Sequence, residues 1–223
     1  MMIDAHHHLW DLNAIHYPWL MAEGVERFFG NPAPIQRDYL VDEFRAEASA
    51  AGVAASVHIQ VGAEDGLAEA RWVQAVAEAN AGWPAAQVVF CDLTADDLTA
   101  RLDAFGALST VRGVRQIVGR APGEDAVTGT NALLDDPRFL EGLRAAGRRG
   151  LSFDLQLIPE LMDKTARVLA EAPGTPVALC HAWRSSAVSA ISSRPSPSGE
   201  NQPPSPAMRS RAGMMRSWMT SRQ

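Results

Sequence analysis

The stretch that decides the fold is Asp4-Ala5-His6-His7-His8-Leu9-Trp10, close to the start of the chain. Residues 2–9 are predicted to form a β-strand, so His6 and His8 point to one side of it and His7 to the other. At the C-terminal mouth of a parallel barrel, two imidazoles spaced in this way can bind one divalent metal ion or hold one substrate oxygen. The motif therefore predicts a functional site where the first strand ends.

Beyond this stretch, short β-branched apolar segments alternate with longer amphipathic segments, which is typical of βα units around a parallel sheet. The predicted strands are residues 2–9, 55–61, 87–93, 111–118, 151–157 and 177–180. The predicted helices are residues 37–51, 66–79, 94–107, 137–149 and 159–172. No Gly-x-Gly-x-x-Gly or Walker-type loop follows a strand, which argues against a nucleotide-binding open sheet. We therefore predict an α/β fold of the (β/α)8 TIM-barrel type, incomplete at about six βα units.

The chain divides into residues 1–183, the partial barrel, and residues 184–223, a segment rich in Ser, Pro and Arg. The second segment has no strand or helix period, so we expect it to be a low-complexity, disordered tail. The break comes directly after a strand-end histidine, where an eight-unit barrel still needs two units. A frameshift or truncation in the coding sequence is therefore the favoured explanation, and a natural tail is the alternative.

Charge and composition exclude several classes of function. The formal net charge is −6, and six of the 20 Lys and Arg residues but only one of the 26 Asp and Glu residues lie in the segment 184–223. The barrel is therefore acidic, which argues against nucleic-acid binding. Two cysteines, no signal-peptide pattern and no apolar run of membrane-spanning length predict a soluble, cytoplasmic protein without a membrane partner. The oligomeric state stays open.

Other strand ends add candidate site residues. His181 ends the sixth predicted strand, at the position where a barrel carries its catalytic groups. Arg115, on the fourth strand, suits an anionic or hydroxyl-rich ligand through its forked donors. A strand-end arginine paired with a helix carboxylate is the structural alternative for Arg115.

Two polar pairs are weaker candidates, because the sequence does not determine which face of the sheet they occupy. They are His58 with Gln60 on the second strand and Asp154 with Gln156 on the fifth. Asp92, at the end of the third strand, is a further candidate. Trp19, in Tyr17-Pro18-Trp19, favours a cyclic and partly apolar ligand.

Several of these motifs together resemble the amidohydrolase-related (metal-dependent hydrolase, TIM-barrel) family of the amidohydrolase superfamily, and the lactonase branch above all. The resemblance covers about residues 2–182. Its motifs are Asp4-x-His6-x-His8-Leu9-Trp10-Asp11, Tyr17-Pro18-Trp19-Leu20, Val57-His58-Ile59-Gln60, Glu69-Ala70-Arg71-Trp72, Asp92-Leu93, Gly113-Val114-Arg115-Gln116, Leu151-Ser152-Phe153-Asp154-Leu155-Gln156 and Cys180-His181.

The resemblance implies roles for individual residues. His6, His8 and His181 are expected to line the site, as metal ligands or as electrophiles, together with an Asp from the eighth strand of the family. His181 and Arg115 are the catalytic candidates, and Arg115, His58, Gln156 and Trp19 are the substrate-binding candidates. The superfamily's fifth-strand histidine is replaced here by Asp154 and Gln156, so we expect one Zn-like ion or a metal-free site. Residues 184–223 contain no Asp to supply the eighth-strand acid.

The implied reaction is hydrolysis of a lactone, such as that of a sugar acid, by an activated water. For the chain as given, the missing acid and the two missing βα units predict a protein without measurable activity and poorly folded. The alternatives are a decarboxylase or amide hydrolase on the same barrel, and a non-catalytic truncated product.

Overall fold

The structure, a computed structural model, describes residues 1–27 and 30–182, with the backbone alone at 181 and 182. Its sheet has six strands, which are β1 Met2–His7, β2 Val53–Ile59, β3 Ala86–Phe90, β4 Val111–Ile117, β5 Ser152–Leu157 and β6 Val177–Ala182. Each strand is hydrogen-bonded to the next in chain order, and all five pairs are parallel. The predicted tail, residues 184–223, lies outside the described residues.

Helices connect the consecutive strands. They are α1 Pro18–Met21, α2 Val41–Ala50, α3 Gly66–Ala79, α4 Leu98–Gly106, α5 Pro122–Thr128, α6 Pro137–Arg148 and α7 Met162–Ala170, with short 3-10 helices at Ala33–Ile35, Thr130–Asp135 and Pro159–Leu161. Side-chain caps fix two of the helix starts, because Asp65 accepts from two N–H groups of α3 and Asp136 accepts from one of α6. Parallel strands joined by such crossovers form an incomplete (β/α)8 barrel, which confirms the predicted fold.

The predicted elements differ from the observed ones mainly at their ends. The helix predicted over 94–107 begins only at Leu98, because Asp92 accepts hydrogen bonds from both the N–H and the hydroxyl of Thr94 and holds this segment as a turn. Asp92 also accepts from Gln116 at 3.2 Å, so its carboxylate is used in local structure. The short helices α1 and α5 had no counterpart in the predicted pattern.

The main core lies between the sheet and the helices that cover its outer face. Phe153 of β5 and Phe139 of α6 meet edge to face with ring centroids 5.8 Å apart, and both side chains are fully buried. Helix α6 approaches the end of β3 so closely that a Cβ on Gly142 would lie 2.4 Å from the Leu93 carbonyl oxygen. A residue without a side chain is therefore required at Gly142.

In the part of the chain that the structure describes, no helix combines the length and the apolar character needed to cross a bilayer.

Candidate active site at the barrel mouth

The register between β4 and β5 identifies the two faces of the sheet. Val114 is paired with Phe153, and both belong to the apolar layer under the helices. The next pair, Arg115 with Asp154, must therefore point to the other face, the interior of the barrel. Gln156 lies two residues after Asp154 and shares that face. The polar residues predicted on these two strands thus meet on the interior side.

His6 and His8 lie together at the end of β1. Their ring centroids are 5.0 Å apart and the rings are nearly perpendicular, at 86°. The carbonyl oxygen of Ile59 lies 2.8 Å from His8 Nδ1 and can only accept, so Nδ1 carries the proton and the neutral ring has its lone pair on Nε2. Asp4 Oδ1 accepts from the His6 backbone N–H at 3.1 Å. The structure therefore brings the predicted pair together and fixes one tautomer.

His7 and His58 occupy the opposite, helix-facing side. His7 stacks on Phe44 of α2 at a centroid distance of 3.9 Å, and its ring lies 5.8 Å from that of His58. His58 is paired with Gln87, whose amide donates to a carbonyl of α3. Burial is the main cause that lowers the pKa of both histidines, for His58 to about 4. His58, a candidate for substrate binding, is thus not brought together with Arg115.

Arg115 is buried in the interior face, with 6% of its surface exposed. One of its terminal nitrogens, Nη2, donates to Gln156 Oε1, so these two predicted site residues are in direct contact. Its Nε is buried and has no hydrogen-bond partner among the described residues. Burial lowers the pKa of the guanidinium, and nearby acidic groups partly oppose that change. A buried cation with an unused donor is suited to an anionic or hydroxyl-bearing ligand.

Asp154 stands beside Arg115 on the same face. The thiol of Cys180, on β6, lies 3.2 Å from Asp154 Oδ2 and donates to it. Burial raises the pKa of Asp154, while the Cys180 thiol and Arg115 act in the opposite direction. The Asp154 carboxyl group is therefore held between a neutral thiol and a guanidinium.

His181 is placed by its backbone alone. It lies near the end of β6, paired with Gln156 of β5 after a register shift. Its side chain is outside the described residues, so the predicted convergence of His181 with His6 and His8 stays a prediction.

Trp19 lies in the long loop between β1 and α2 and contacts the loop that follows β2. Its indole Nε1 donates to the Val61 carbonyl oxygen at 2.5 Å. It packs against a small core, separate from the main one, that contains Tyr17, Leu20 and Val61. These contacts place Trp19 beyond the C-terminal end of β2, on the mouth side of the barrel.

Two residues of this region were given no role by sequence reasoning, although Glu69 stands in one of the motifs quoted for the family resemblance. Arg120 follows β4, and its positive charge acts on Arg115; its Nε is also buried without a partner among the described residues. Glu69 is on α3, and only 2% of its surface is exposed. A second arginine soon after a strand end was a usable signal for Arg120. Helical spacing gave none for Glu69, because a glutamate on an amphipathic helix is normally solvated.

His6 and His8 are the two candidate metal ligands whose side chains the structure describes. Among the residues whose side chains are described, no group of three or more His, Cys, Asp or Glu is arranged to hold an ion. His8 nevertheless has the arrangement that orients metal-binding imidazoles, because one ring nitrogen donates to a backbone carbonyl and the other has the lone pair. The first-strand pair therefore fits as part of a ligand set.

The sequence model of the amidohydrolase family matches residues 3–216. The chain belongs to the amidohydrolase family. This confirms the resemblance found in the sequence, and the match extends past residue 182, where we expected it to end. A relative from Sinorhizobium fredii, described as an uncharacterized protein, is 32% identical over 184 residues, which make up 81% of this chain and 61% of the relative.

Solved structures of amidohydrolases have a similar fold. An amidohydrolase of Burkholderia multivorans is 23% identical, with TM-scores of 0.62 for the structure with bound HEPES and 0.60 for the structure with bound zinc. These matches cover 80% and 79% of this chain and 56% of the other. A probable 2-pyrone-4,6-dicarboxylic acid hydrolase of Acinetobacter baumannii, with citric acid bound, is 14% identical with a TM-score of 0.52, over 76% of this chain and 54% of that one. The chain thus spans little more than half the length of these proteins.

Proposed function

We propose that this amidohydrolase is a hydrolase that opens a lactone, a sugar-acid lactone or a similar cyclic ester, by attack of an activated water. The observation that carries the proposal is the His6 and His8 pair at the end of β1, above an interior face that presents Arg115. The 2-pyrone named for the Acinetobacter relative is itself a cyclic ester with carboxylates. That relative supports the choice of a lactone over an amide.

In this proposal Arg115 binds and orients the substrate. Its buried guanidinium already donates to Gln156, and Nε offers a further donor toward a carboxylate or hydroxyl group. Charge-assisted hydrogen bonds in a dry site are roughly twice as strong as neutral ones, so one arginine can fix the orientation of a small ring. Trp19 would cover the apolar part of the ring from the neighbouring loop.

His6 and His8 would act on the ester carbonyl. Together with His181, they are the residues that would hold a divalent ion, which when bound lowers the pKa of a water to about 7. Without an ion, an imidazole N–H can donate to the carbonyl oxygen as negative charge develops on it. Asp154 is the only carboxylate beside Arg115 on the interior face among the described residues. It accepts a hydrogen bond from the Cys180 thiol, so we assign no described carboxylate as the general base.

A second candidate is a non-catalytic truncated product. It is favoured by exposed apolar residues on β1 and β6, the two strands at the ends of the sheet order. Ile3 on β1 is 50% exposed and Leu179 on β6 is 53% exposed. Exposed apolar residues on such strands promote association with other chains. The predicted lack of activity of the 223-residue chain stays a prediction.

The test is a panel of aldonolactones and pyrone carboxylates, with ring opening followed by proton release. The 223-residue protein is assayed beside a version continued by the other reading frames of the coding DNA after the His181 codon. We expect at least one of the two proteins to open a lactone. The His8→Asn substitution should abolish that activity. If neither protein opens any lactone while either cleaves an amide or releases CO2, the lactonase proposal is wrong.

A further inference from the structure

The carboxyl group of Glu69 is buried beneath the two loops that border the first half of the mouth. Glu69 is in the first turn of α3, and its Oε1 accepts from the Val61 N–H at 2.8 Å. Its Oε2 and the hydroxyl of Tyr17 are both buried, and among the described residues neither has a hydrogen-bond partner of good geometry, although each group shifts the pKa of the other. A carboxyl group that is buried and half satisfied calls for an explanation.

Glu69 lies at the junction of these loops. The first loop, described over residues 8–27 and 30–40, follows β1, and the second loop, residues 60–65, follows β2. Val61 donates to Glu69 through its N–H and accepts from the Trp19 indole through its carbonyl. The Glu64 N–H donates to the His16 carbonyl at 3.0 Å, which adds a backbone bond between the loops. The residue that holds Trp19 is therefore itself held by Glu69.

The fit between the loops is close. Gly62 has a φ of +83°, and a Cβ there would lie 3.3 Å from the Trp19 ring. Tyr17 is fully buried in the small core that both loops share with Leu20. A change in how the first loop docks would therefore move Trp19 and Tyr17 together.

Burial in this junction affects the ionisation of Glu69. Desolvation is the largest cause and raises its pKa from 4.5 to about 7. The N–H groups of Val61 and Ala63, the Tyr17 hydroxyl and, from β4, the charge of Arg115 act in the opposite direction. Asp11 acts on Tyr17 from the first loop.

The direction of the coupling follows from proton linkage. Undocking the loop would expose Glu69 to water and return its pKa toward 4.5, so the docked form binds the proton more tightly. The docked form is thus favoured at low pH, and docking weakens as the pH rises from about 4.5 to about 7. The equilibrium constant for docking can fall on the order of 10²-fold across this pH range.

We propose that Glu69 is a positioning residue whose protonation state controls how tightly the first loop, and Trp19 with it, docks on the second loop at the mouth. The effect of docking on substrate binding rests on the proposed function, because that function places Trp19 in the substrate site. The docking of the two loops does not rest on the proposed function.

The experiment measures the exposure of Trp19 between pH 4 and 8.5 by acrylamide quenching of fluorescence. The protein and its Trp19→Phe variant are compared at each pH, so that the difference reports Trp19 alone. We expect quenching of Trp19 to increase as the pH rises, with a midpoint between about pH 4.5 and 7. In Glu69→Gln, which retains an acceptor oxygen and cannot ionise, the transition should disappear and Trp19 should stay protected. Constant quenching in the unsubstituted protein, or an unchanged midpoint in Glu69→Gln, would overturn the proposal.

Two controls exclude other titrating groups. His16→Gln removes a histidine of the first loop, the loop whose docking the experiment follows. Glu78→Gln neutralises an exposed glutamate on the same helix as Glu69. Both variants should retain the transition. Loss of the transition in His16→Gln would assign it to that histidine and reject the role of Glu69.

Tyr17→Phe keeps the proposal testable if Glu69→Gln does not fold. Removing a hydroxyl that lowers the pKa of Glu69 should move the midpoint to higher pH, and a midpoint that stays or falls would contradict the proposal. In a version that opens lactones, KM should rise through the same pH range more steeply than in Glu69→Gln, with kcat less affected. The quenching result needs no substrate, so it stands or falls separately from the lactonase proposal.

Discussion

Two pairs of histidines from the same corner of the sheet lie in opposite environments. His6 and His8 are half-buried at the mouth, with their rings against each other and a defined tautomer. Behind the sheet, His7 stacks on Phe44 and His58 lies beside His7, and burial keeps both rings neutral. Residues adjacent in the sequence are thus separated by the thickness of a β-sheet. Strand alternation alone decides which histidine can meet a ligand.

The largest effect should come from the mouth pair. In a version of the protein that opens lactones, His6→Asn or His8→Asn should lower kcat/KM on the order of 10²–10⁴-fold, because the ester carbonyl loses its activating group. His7→Asn, the matched control behind the sheet, should change it by less than about fivefold. Steady-state kinetics together with zinc affinity, by competition with a chromogenic chelator, check this. An equal loss in all three variants would remove the contrast between the faces.

Acid should lower the stability of the protein through His58, one of the two histidines behind the sheet. The folded-state pKa of His58 is depressed from 6.5 to about 4, so its contribution to stability is complete above pH 6.5 and is lost as the pH falls toward 4. The expected loss is on the order of 3 kcal/mol in the free energy of unfolding. Urea unfolding at pH 6.5, 5 and 4 should show a shallower pH dependence in His58→Leu. His16→Gln, at an exposed site, should keep the original slope, and equal slopes in all three proteins would refute the assignment.

Arg115 extends the comparison along the interior face. Replacing it with Met removes a buried donor set and should lower kcat/KM roughly tenfold or more in a lactone-opening version, mainly by raising KM. Arg112, three residues earlier on β4, is exposed and provides the control Arg112→Met. Unchanged kinetics in Arg115→Met would place Arg115 outside the site.

The smallest effect concerns a hydroxyl behind the sheet. Ser56 Oγ is buried without a hydrogen-bond partner among the described residues, so Ser56→Ala should raise the free energy of unfolding by up to about 1 kcal/mol. Thr175, also buried, donates to the Leu143 carbonyl at 2.8 Å, and Thr175→Ala should lower it by about 1 kcal/mol. Chemical denaturation checks both signs. A destabilised Ser56→Ala would mean that its hydroxyl is satisfied.

The sequence predicted the six strands because their apolar, β-branched character is local information. It could not decide the face of His58, since alternation places His58 and Gln60 relative to each other but not relative to the helices. That choice needs the pairing of His58 with Gln87, a contact between distant parts of the chain. Glu69 was quoted in a motif but was given no role for the same reason, because its burial results from a loop that lies about 50 residues earlier.

The packing of His7 on Phe44 also affects how such proteins are found by their sequences. A search pattern that demanded a particular residue between the two mouth histidines would select for the helix that covers the back of β1, not for a reaction. A homologue with a differently packed second helix would then be overlooked even if it had the same two mouth histidines. A pattern for the mouth should therefore allow any residue at the position of His7. The residue found there indicates how α2 packs behind β1.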